Sequence, residues 1–405
     1  MVTAAGSDRE STWRALCRGA RPIVPLVDMP GIPDGMLMAA AVAGPRRGSW
    51  HQRSLPFALQ AAKEALSDAH YQDSGVDPTR VAVASAPAIG CTPGISNIQW
   101  GPHLAEESMS WWEEFLPSTP SAYIGNALGL KGPRSSYSAA CASSTVAVMA
   151  AEQLLRSGEC DMALVGAMET IHPLMAAGFH KMRVLARNEN PAEACRPFDT
   201  HRNGFVMGEG GAMLVLERAD QAVARGAEVY AELVSTACCN DAHHVTDLNV
   251  NSEALEYLLS ETLRRGGLAP VDIDYVNAHG TGTLQNDITE TRALRRVFGQ
   301  AAESLCVSSV KACLGHLVNA AGVAELAITA LTLRDGCAPP TVNLTDPDPQ
   351  CDLDYIPLVA RQRGLEHAIK VSVAFGGHLA AAALRRWSGS SARQATSPTE
   401  LLAAA

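Results

Sequence analysis

Runs of apolar residues at helical spacing alternate along this chain with short, continuously apolar stretches, and the alternation occurs twice. The segment 55–70 has an amphipathic helical period, and Arg-Val-Ala-Val-Ala-Ser-Ala at 80–86 has the length and branching of a buried strand. Helical patterns follow at 106–115 and 120–128. A short extended segment behind the Pro133-Arg134 turn then leads into a small-residue helix over 142–156, a strand over 161–166, a turn at Asn203-Gly204 and a strand over 211–216. After residue 218 the rhythm restarts: strand 229–238, helix 252–265, strand 273–278, helix 288–298, strand 305–308 and an Ala- and Gly-rich helix over 318–333. That last helix matches 142–155 in composition, and each follows a strand that delivers a reactive side chain. The pattern predicts a duplicated layered α/β fold with two buried small-residue helices packed between sheets. Its halves are 1–218 and 219–387, and the Ser-, Thr- and Ala-rich segment 388–405 reads as a disordered tail. Before residue 50 only a short helix over 11–18 and loops near 30–35 are legible.

Composition narrows the function class. In 405 residues, 47% are hydrophobic, and there is neither an uncharged apolar run of membrane-spanning length nor a basic-then-apolar leader, so the chain reads as cytoplasmic. A net charge of −10 argues against a general nucleic-acid binder. The 11 cysteines are scattered, with Cys238-Cys239 the only close pair, which suits neither a disulfide framework nor a zinc site.

One cysteine is placed differently from the others. In Ser-Tyr-Ser-Ala-Ala-Cys-Ala-Ser-Ser-Thr, Cys141 stands where an extended segment turns into a helix. The unpaired N–H groups and dipole of a helix start favour a thiolate and can cradle an oxyanion. A lone cysteine is more often a buried small hydrophobe, so the case depends on what accompanies it. His279 leaves a strand into His-Gly-Thr-Gly-Thr, whose Thr281 and Thr283 offer neutral hydrogen bonds, with Asp287 and Glu290 following. Lys311 and His316 flank a glycine turn in Val-Lys-Ala-Cys-Leu-Gly-His, with Glu325 nine residues on.

Taken together, these segments resemble the β-ketoacyl synthases of the thiolase superfamily. The resemblance spans about 55–387 and includes Arg196-Pro-Phe-Asp, Gly204-Phe-Val-Met-Gly-Glu-Gly and Pro339-Pro-Thr-Val-Asn-Leu. Gln285-Asn-Asp and Cys351-Asp-Leu-Asp-Tyr look most like discrete bacterial polyketide ketosynthases, with elongating fatty-acid synthases close behind. The resemblance implies a dimeric thiolase fold of five α-β-α-β-α layers and decarboxylative Claisen condensation between acyl-carrier-protein thioesters. It further implies substrates carried on phosphopantetheine, and no bound metal or nucleotide. It assigns Cys141 as nucleophile, the N–H groups of Cys141 and Phe375 as oxyanion donors, and His279 and His316 as donors to the enolate. By the same resemblance, Lys311 and Glu325 are expected to orient His316.

The resemblance also puts Thr281 and Thr283 against the phosphopantetheine, and Phe205, Asp241, Gly376, Gly377 and His378 around the pocket, with 241–249 as a loop over it. Lys181, Arg183, Arg46, Arg47 and Arg53 are the basic candidates for docking an acidic carrier protein. The dimer partner is a second copy or a ketosynthase-like chain-length subunit. The family usually ends in Gly-Phe-Gly-Gly-Thr-Asn, whereas this chain reads Ala374-Phe375-Gly376-Gly377-His378-Leu379. In the family the phenylalanine matching Phe375 is a gate that swings aside for the acyl chain, so the resemblance implies that this departure bears on the gate and on acyl preference. The competing readings are acyl transfer without decarboxylation, and a non-elongating partner of another synthase.

Overall fold

The computed structural model describes all residues except 28, 30, 31, 45–49, 87–115, 189, 390–401 and 405, with backbone alone at 50–52 and 402–404. The helix expected at 106–115, like Arg46 and Arg47, lies outside the described residues.

Among the described residues, each half of the chain builds a five-stranded sheet on the same plan. In the first, Arg134–Ser136, Val81–Ala86 and Met162–Glu169 run parallel, Gly210–Arg218 is antiparallel to the last, and Val2–Thr3 closes the edge antiparallel to Gly210–Arg218. In the second, Cys306–Ser308, Tyr275–Asn277 and His367–Val373 run parallel, His378–Arg386 is antiparallel to the last, and Ala231–Asn240 closes the edge. Leu402–Ala404 pairs antiparallel with both Gly210–Arg218 and Ala231–Asn240, joining the sheets along their edges. These three residues depart from the expected disordered tail. Two neighbouring sheet edges present unpaired N–H and C=O groups that a short extended segment can satisfy.

Five layers result. Trp50–Asp68 and Thr119–Leu128 cover the outer face of the first sheet, and Glu253–Gly266 and Leu284–Phe298 that of the second. Between the sheets lie Ser143–Arg156 and Ala321–Asp335, the two small-residue helices. Every residue of 321–333 is buried, as expected of a helix that is apolar all round. The two inner helices approach closely because the second carries a glycine at the crossing. A Cβ at Gly322 would stand 2.3 Å from Thr145 Oγ1, and the Val323 N–H donates to Ser144 Oγ at 3.0 Å.

Most helix and strand positions follow the hydrophobic pattern within a few residues. The hairpin His367–Val373 and His378–Arg386 is not legible from that pattern, since Lys370 interrupts the apolar run of the first strand and the consecutive alanines at 380–383 in the second favour helix. The helix Pro173–Lys181 is also absent from the sequence expectation.

Candidate active site

Cys141 sits in the 3-10 turn Ala140–Ala142, which leads directly into Ser143–Arg156. Ala140 has φ +47°, a left-handed conformation unusual for alanine, and Ser143 secures it by accepting the Ala139 N–H at 2.8 Å while donating to the Ala140 carbonyl at 2.6 Å. Opposite lies the turn Val318–Ala320, which opens the second inner helix. The Val318 N–H donates to His316 Nδ1 at 3.3 Å. That bond makes Nδ1 the acceptor and leaves the ring proton on Nε2, which faces Cys141 Sγ at 3.0 Å.

His279 completes the trio, its ring edge-to-face with that of His316 at 5.3 Å between centroids. Two carboxylates hold its loop. Glu290 accepts the N–H groups of His279 and Gly280 at 2.6 and 2.8 Å, and Asp287 accepts those of Gly282 and Phe198 at 3.2 and 2.8 Å. Lys311 reaches the same place from behind, Nζ donating to the His279 carbonyl and to Glu325 Oε1, each at 2.6 Å. Lys311 and Glu325 therefore brace His279 through its backbone, rather than orienting His316 as expected. His316 is instead placed by its own backbone N–H, which donates to the Val206 carbonyl at 2.7 Å, and by the Val318 N–H at its ring. Both bonds come from backbone N–H groups, so the main chain sets the position and tautomer of this imidazole.

The cavity at these groups measures about 120 Å³. Phe179, Val184, Phe205, Val373, Ala374 and Phe375 form its apolar wall, and Thr281, Thr283, Gln285 and Asn286 its polar rim. Phe205 packs edge-on against both His316 and Phe179, with ring centroids 5.2 Å apart in each case. The Phe375–Gly377 turn packs against the cysteine turn. It is locked from the 241–249 loop: the Gly376 N–H donates to the Val245 carbonyl at 2.6 Å, and the Asp241 N–H donates to the Gly377 carbonyl at 3.0 Å. Thr246 and Leu248 of that loop reach the cavity wall.

Electrostatics depart from the expectation drawn from the helix start. Burial pushes the Cys141 thiol up to about 12, with Lys311 opposing it. A helix N-terminus contributes up to about 2 kcal/mol in favourable cases, whereas full desolvation shifts a group by up to about 3–5 pKa units, or roughly 4–7 kcal/mol. Desolvation wins in the closed site, where Cys141 is 6% exposed. Burial, with Lys311 and Lys370 nearby, holds both His279 and His316 well below the ordinary histidine range. The resting site is a neutral thiol beside two neutral imidazoles.

Residues 44–222 match the family described as "Beta-ketoacyl synthase, N-terminal domain", and 230–345 match "Beta-ketoacyl synthase, C-terminal domain". The chain is 37% identical over 355 residues to the tetracenomycin polyketide synthase ketoacyl synthase alpha subunit of Streptomyces glaucescens, covering 84% of this chain and 83% of that one. The chain belongs to the β-ketoacyl synthase family. A 3-oxoacyl-[acyl-carrier-protein] synthase 2 of Synechocystis is 32% identical over 401 residues, covering 95% of this chain and 96% of that one. Among solved structures, a type II polyketide acyl carrier protein in complex with its ketosynthase bound to the hexaketide superposes with TM-score 0.88 at 29% identity, covering 95% of this chain and 97% of that one.

Within this β-ketoacyl synthase the structure brings Cys141, His279, His316, Thr281, Thr283, Phe205 and Phe375 to one cavity, with Lys311 and Glu325 behind it. Other candidates stand elsewhere. His378 is exposed beyond the turn, and Asp241 lines a smaller neighbouring cavity while its backbone anchors Gly377. Gly376 and Gly377 shape the turn with φ of +83° and +74°, and a Cβ at Gly377 would fall 2.1 Å from Asp241 Oδ1. Arg53 turns inward. Its nearly buried guanidinium clasps Glu209 at 3.0 and 2.7 Å, and Glu209 also accepts from Thr170 Oγ1 and the Ile171 N–H. Lys181 and Arg183 are exposed, and Arg183 shares a surface depression with His180, Arg187 and Asn203.

Phe179, Glu169 and Lys370 belong to the site without having been singled out from the sequence. Glu169 is buried beside Asn319, whose Nδ2 donates to it at 3.0 Å, and burial raises its carboxyl to about 8. Among the described residues no group of three or more His, Cys, Asp or Glu is placed to hold a metal, and no described helix is long and apolar enough to cross a membrane.

Proposed function

We propose that this chain is an elongating ketosynthase performing decarboxylative condensation of an acyl group on Cys141 with malonyl-acyl carrier protein, as a discrete subunit of polyketide assembly. The observation that carries this reading is a buried thiol 3.0 Å from an imidazole whose tautomer the backbone fixes, with a second imidazole at its side. Cys141 Sγ attacks the acyl thioester carbon, and the thiol proton leaves with the carrier's phosphopantetheine thiol. The N–H groups of Cys141 and Phe375 serve the tetrahedral oxyanion. Malonyl thioester then loses CO2, and the enolate oxygen receives hydrogen bonds from His279 and His316. Neutral imidazoles suit that role, since each keeps one N–H to donate. The enolate carbon attacks the Cys141 thioester, the ketoacyl product leaves on the carrier, and the released thiolate takes a proton from solvent.

Thr281 and Thr283, whose hydroxyls pair at 2.9 Å on the cavity rim, are the proposed contacts for the phosphopantetheine amides. The depression holding Arg183 is the proposed landing point for the acidic carrier. The relative named an alpha subunit supports assembly with a different subunit, for which a chain-length subunit is the proposed partner, a second copy being the alternative. We also propose the division into halves at 218/219, on the repeated sheet plan, and a cytoplasmic location beside soluble carrier proteins. Incubation with acyl- and malonyl-carrier protein, followed by mass spectrometry of the carrier, tests the reading. A carrier-bound β-ketoacyl product two carbons longer supports it. Acyl transfer with no CO2 loss replaces it with plain acyl transfer.

A further inference from the structure

Behind the imidazoles, three side chains from three elements form a closed ion cluster. Glu325 of Ala321–Asp335 faces two ammonium groups, Lys311 Nζ at 2.6 Å from Oε1 and Lys370 Nζ at 2.8 Å from Oε2. Lys311 and Lys370 are wholly buried and Glu325 is 1% exposed. Lys370 lies within the strand His367–Val373, beside Asn277, two residues before His279. Its Nζ also donates to the Val371 carbonyl and to Ser372 Oγ, and Ser372 Oγ lies 2.9 Å from Thr145 Oγ1 on the helix that follows Cys141.

Two chains of polar contacts therefore start at Lys370. One runs through Glu325 and Lys311 to the His279 carbonyl, and the other through Ser372 to Thr145. A single lysine would neutralise Glu325, and burying a second ammonium is costly unless its charge is used. Among the described residues, the other charged or titratable groups around the imidazoles include Lys311, the Cys141 thiol, Glu290 and Asp287 beneath the His279 loop and Glu169 beyond Asn319.

We propose that Lys370 is a positioning residue for decarboxylation, fixing Glu325 and through it Lys311 and His279, and lending the imidazole pair a second positive charge. That charge opposes protonation of His279 and His316, so both remain single N–H donors at mildly acidic pH. The inference rests on the condensation reading above.

The test follows CO2 release from malonyl-carrier protein between about pH 5 and 9 for wild type and Lys370→Met, with acylation of Cys141 measured separately. Removing a nearby cation raises an imidazole pKa, so the acid limb of Lys370→Met should move up by about one unit. The expected result is a loss in the variant that sets in at higher pH than in wild type and deepens toward about tenfold as pH falls through the acid limb, leaving only a smaller, pH-independent positioning loss at alkaline pH, with acylation within about twofold. An acid limb superimposed on that of wild type overturns the proposal. Lys370→Gln carries the same expectation and serves if Lys370→Met does not fold. If wild type releases no CO2 at any pH, the condensation reading fails. NMR titration of His279 and His316 in wild type and either variant then tests Lys370 separately, unchanged midpoints rejecting its role.

Discussion

Ala140 and Val318 share nearly the same left-handed backbone, φ +47° and +44°, each as the first residue of the 3-10 turn that enters an inner helix. Such conformations cost about 1–3 kcal/mol each and persist only where the surroundings enforce them. One turn carries Cys141, and the other supplies the N–H that fixes His316. The duplicated fold thus sets nucleophile and imidazole face to face at the ends of two equivalent helices.

The spacing between those helices should therefore control the chemistry. Gly322→Ala would place a methyl 2.3 Å from Thr145 Oγ1. The expected loss is about 1–3 kcal/mol in stability by urea unfolding, with a fall in condensation rate because the Cys141–His316 distance changes. Unaltered stability and rate would show that the helices have slack.

Arg53 and Glu209 make a different prediction from the one a docking role carries. Arg53→Met breaks a buried ion pair, so it should cost about 3–5 kcal/mol, measured by denaturation. Carrier-protein affinity of the folded fraction should stay unchanged.

Docking itself is expected at Arg183. Arg183→Glu should weaken carrier binding about tenfold at low salt and flatten its salt dependence, since a surface charge acts mainly through long-range attraction. Equal affinity at low ionic strength would move the landing site elsewhere.

The gate can be tested at two positions with opposite outcomes. Ala374 is extended, φ −141°, so alanine costs nothing in backbone strain there; on the expectation of a gate at Phe375, the departure from glycine would act by narrowing the conformations open to that side chain. Ala374→Gly should broaden the range of acyl chains accepted. Gly377→Ala combines φ +74° with a 2.1 Å approach to Asp241 Oδ1, and should abolish acylation by displacing the turn. An acyl profile identical to wild type in Ala374→Gly would remove the gate from the account of specificity.

The layers are legible in the sequence from its apolar period, whereas the cysteine at a helix start and the histidines in glycine turns are only candidates there until the family resemblance joins them. What escapes depends on tertiary context. Lys370 in Ile-Lys-Val-Ser-Val has the sequence environment of an interrupted strand, and only the fold reveals that it meets the carboxylate of Glu325 on a distant helix. Arg53 and Glu209 are 156 residues apart, so nothing local distinguishes that arginine from a surface charge. The thiol's pKa runs opposite to the sequence expectation because a helix start can be read from sequence, whereas the exclusion of water around Cys141 cannot.

Thiol and imidazoles divide the labour of the proposed reaction, and one paired measurement addresses that division. Wild type, Cys141→Ala and His316→Ala are each given acyl-carrier protein and carboxyl-labelled malonyl-carrier protein, with acyl-enzyme followed by intact mass and labelled CO2 by trapping. Cys141→Ala should form no acyl-enzyme. His316→Ala should still acylate Cys141 while losing about 100-fold or more in CO2 release, the range typical for removing a donor to a developing oxyanion. Labelled CO2 released by His316→Ala at the wild-type rate would contradict the account.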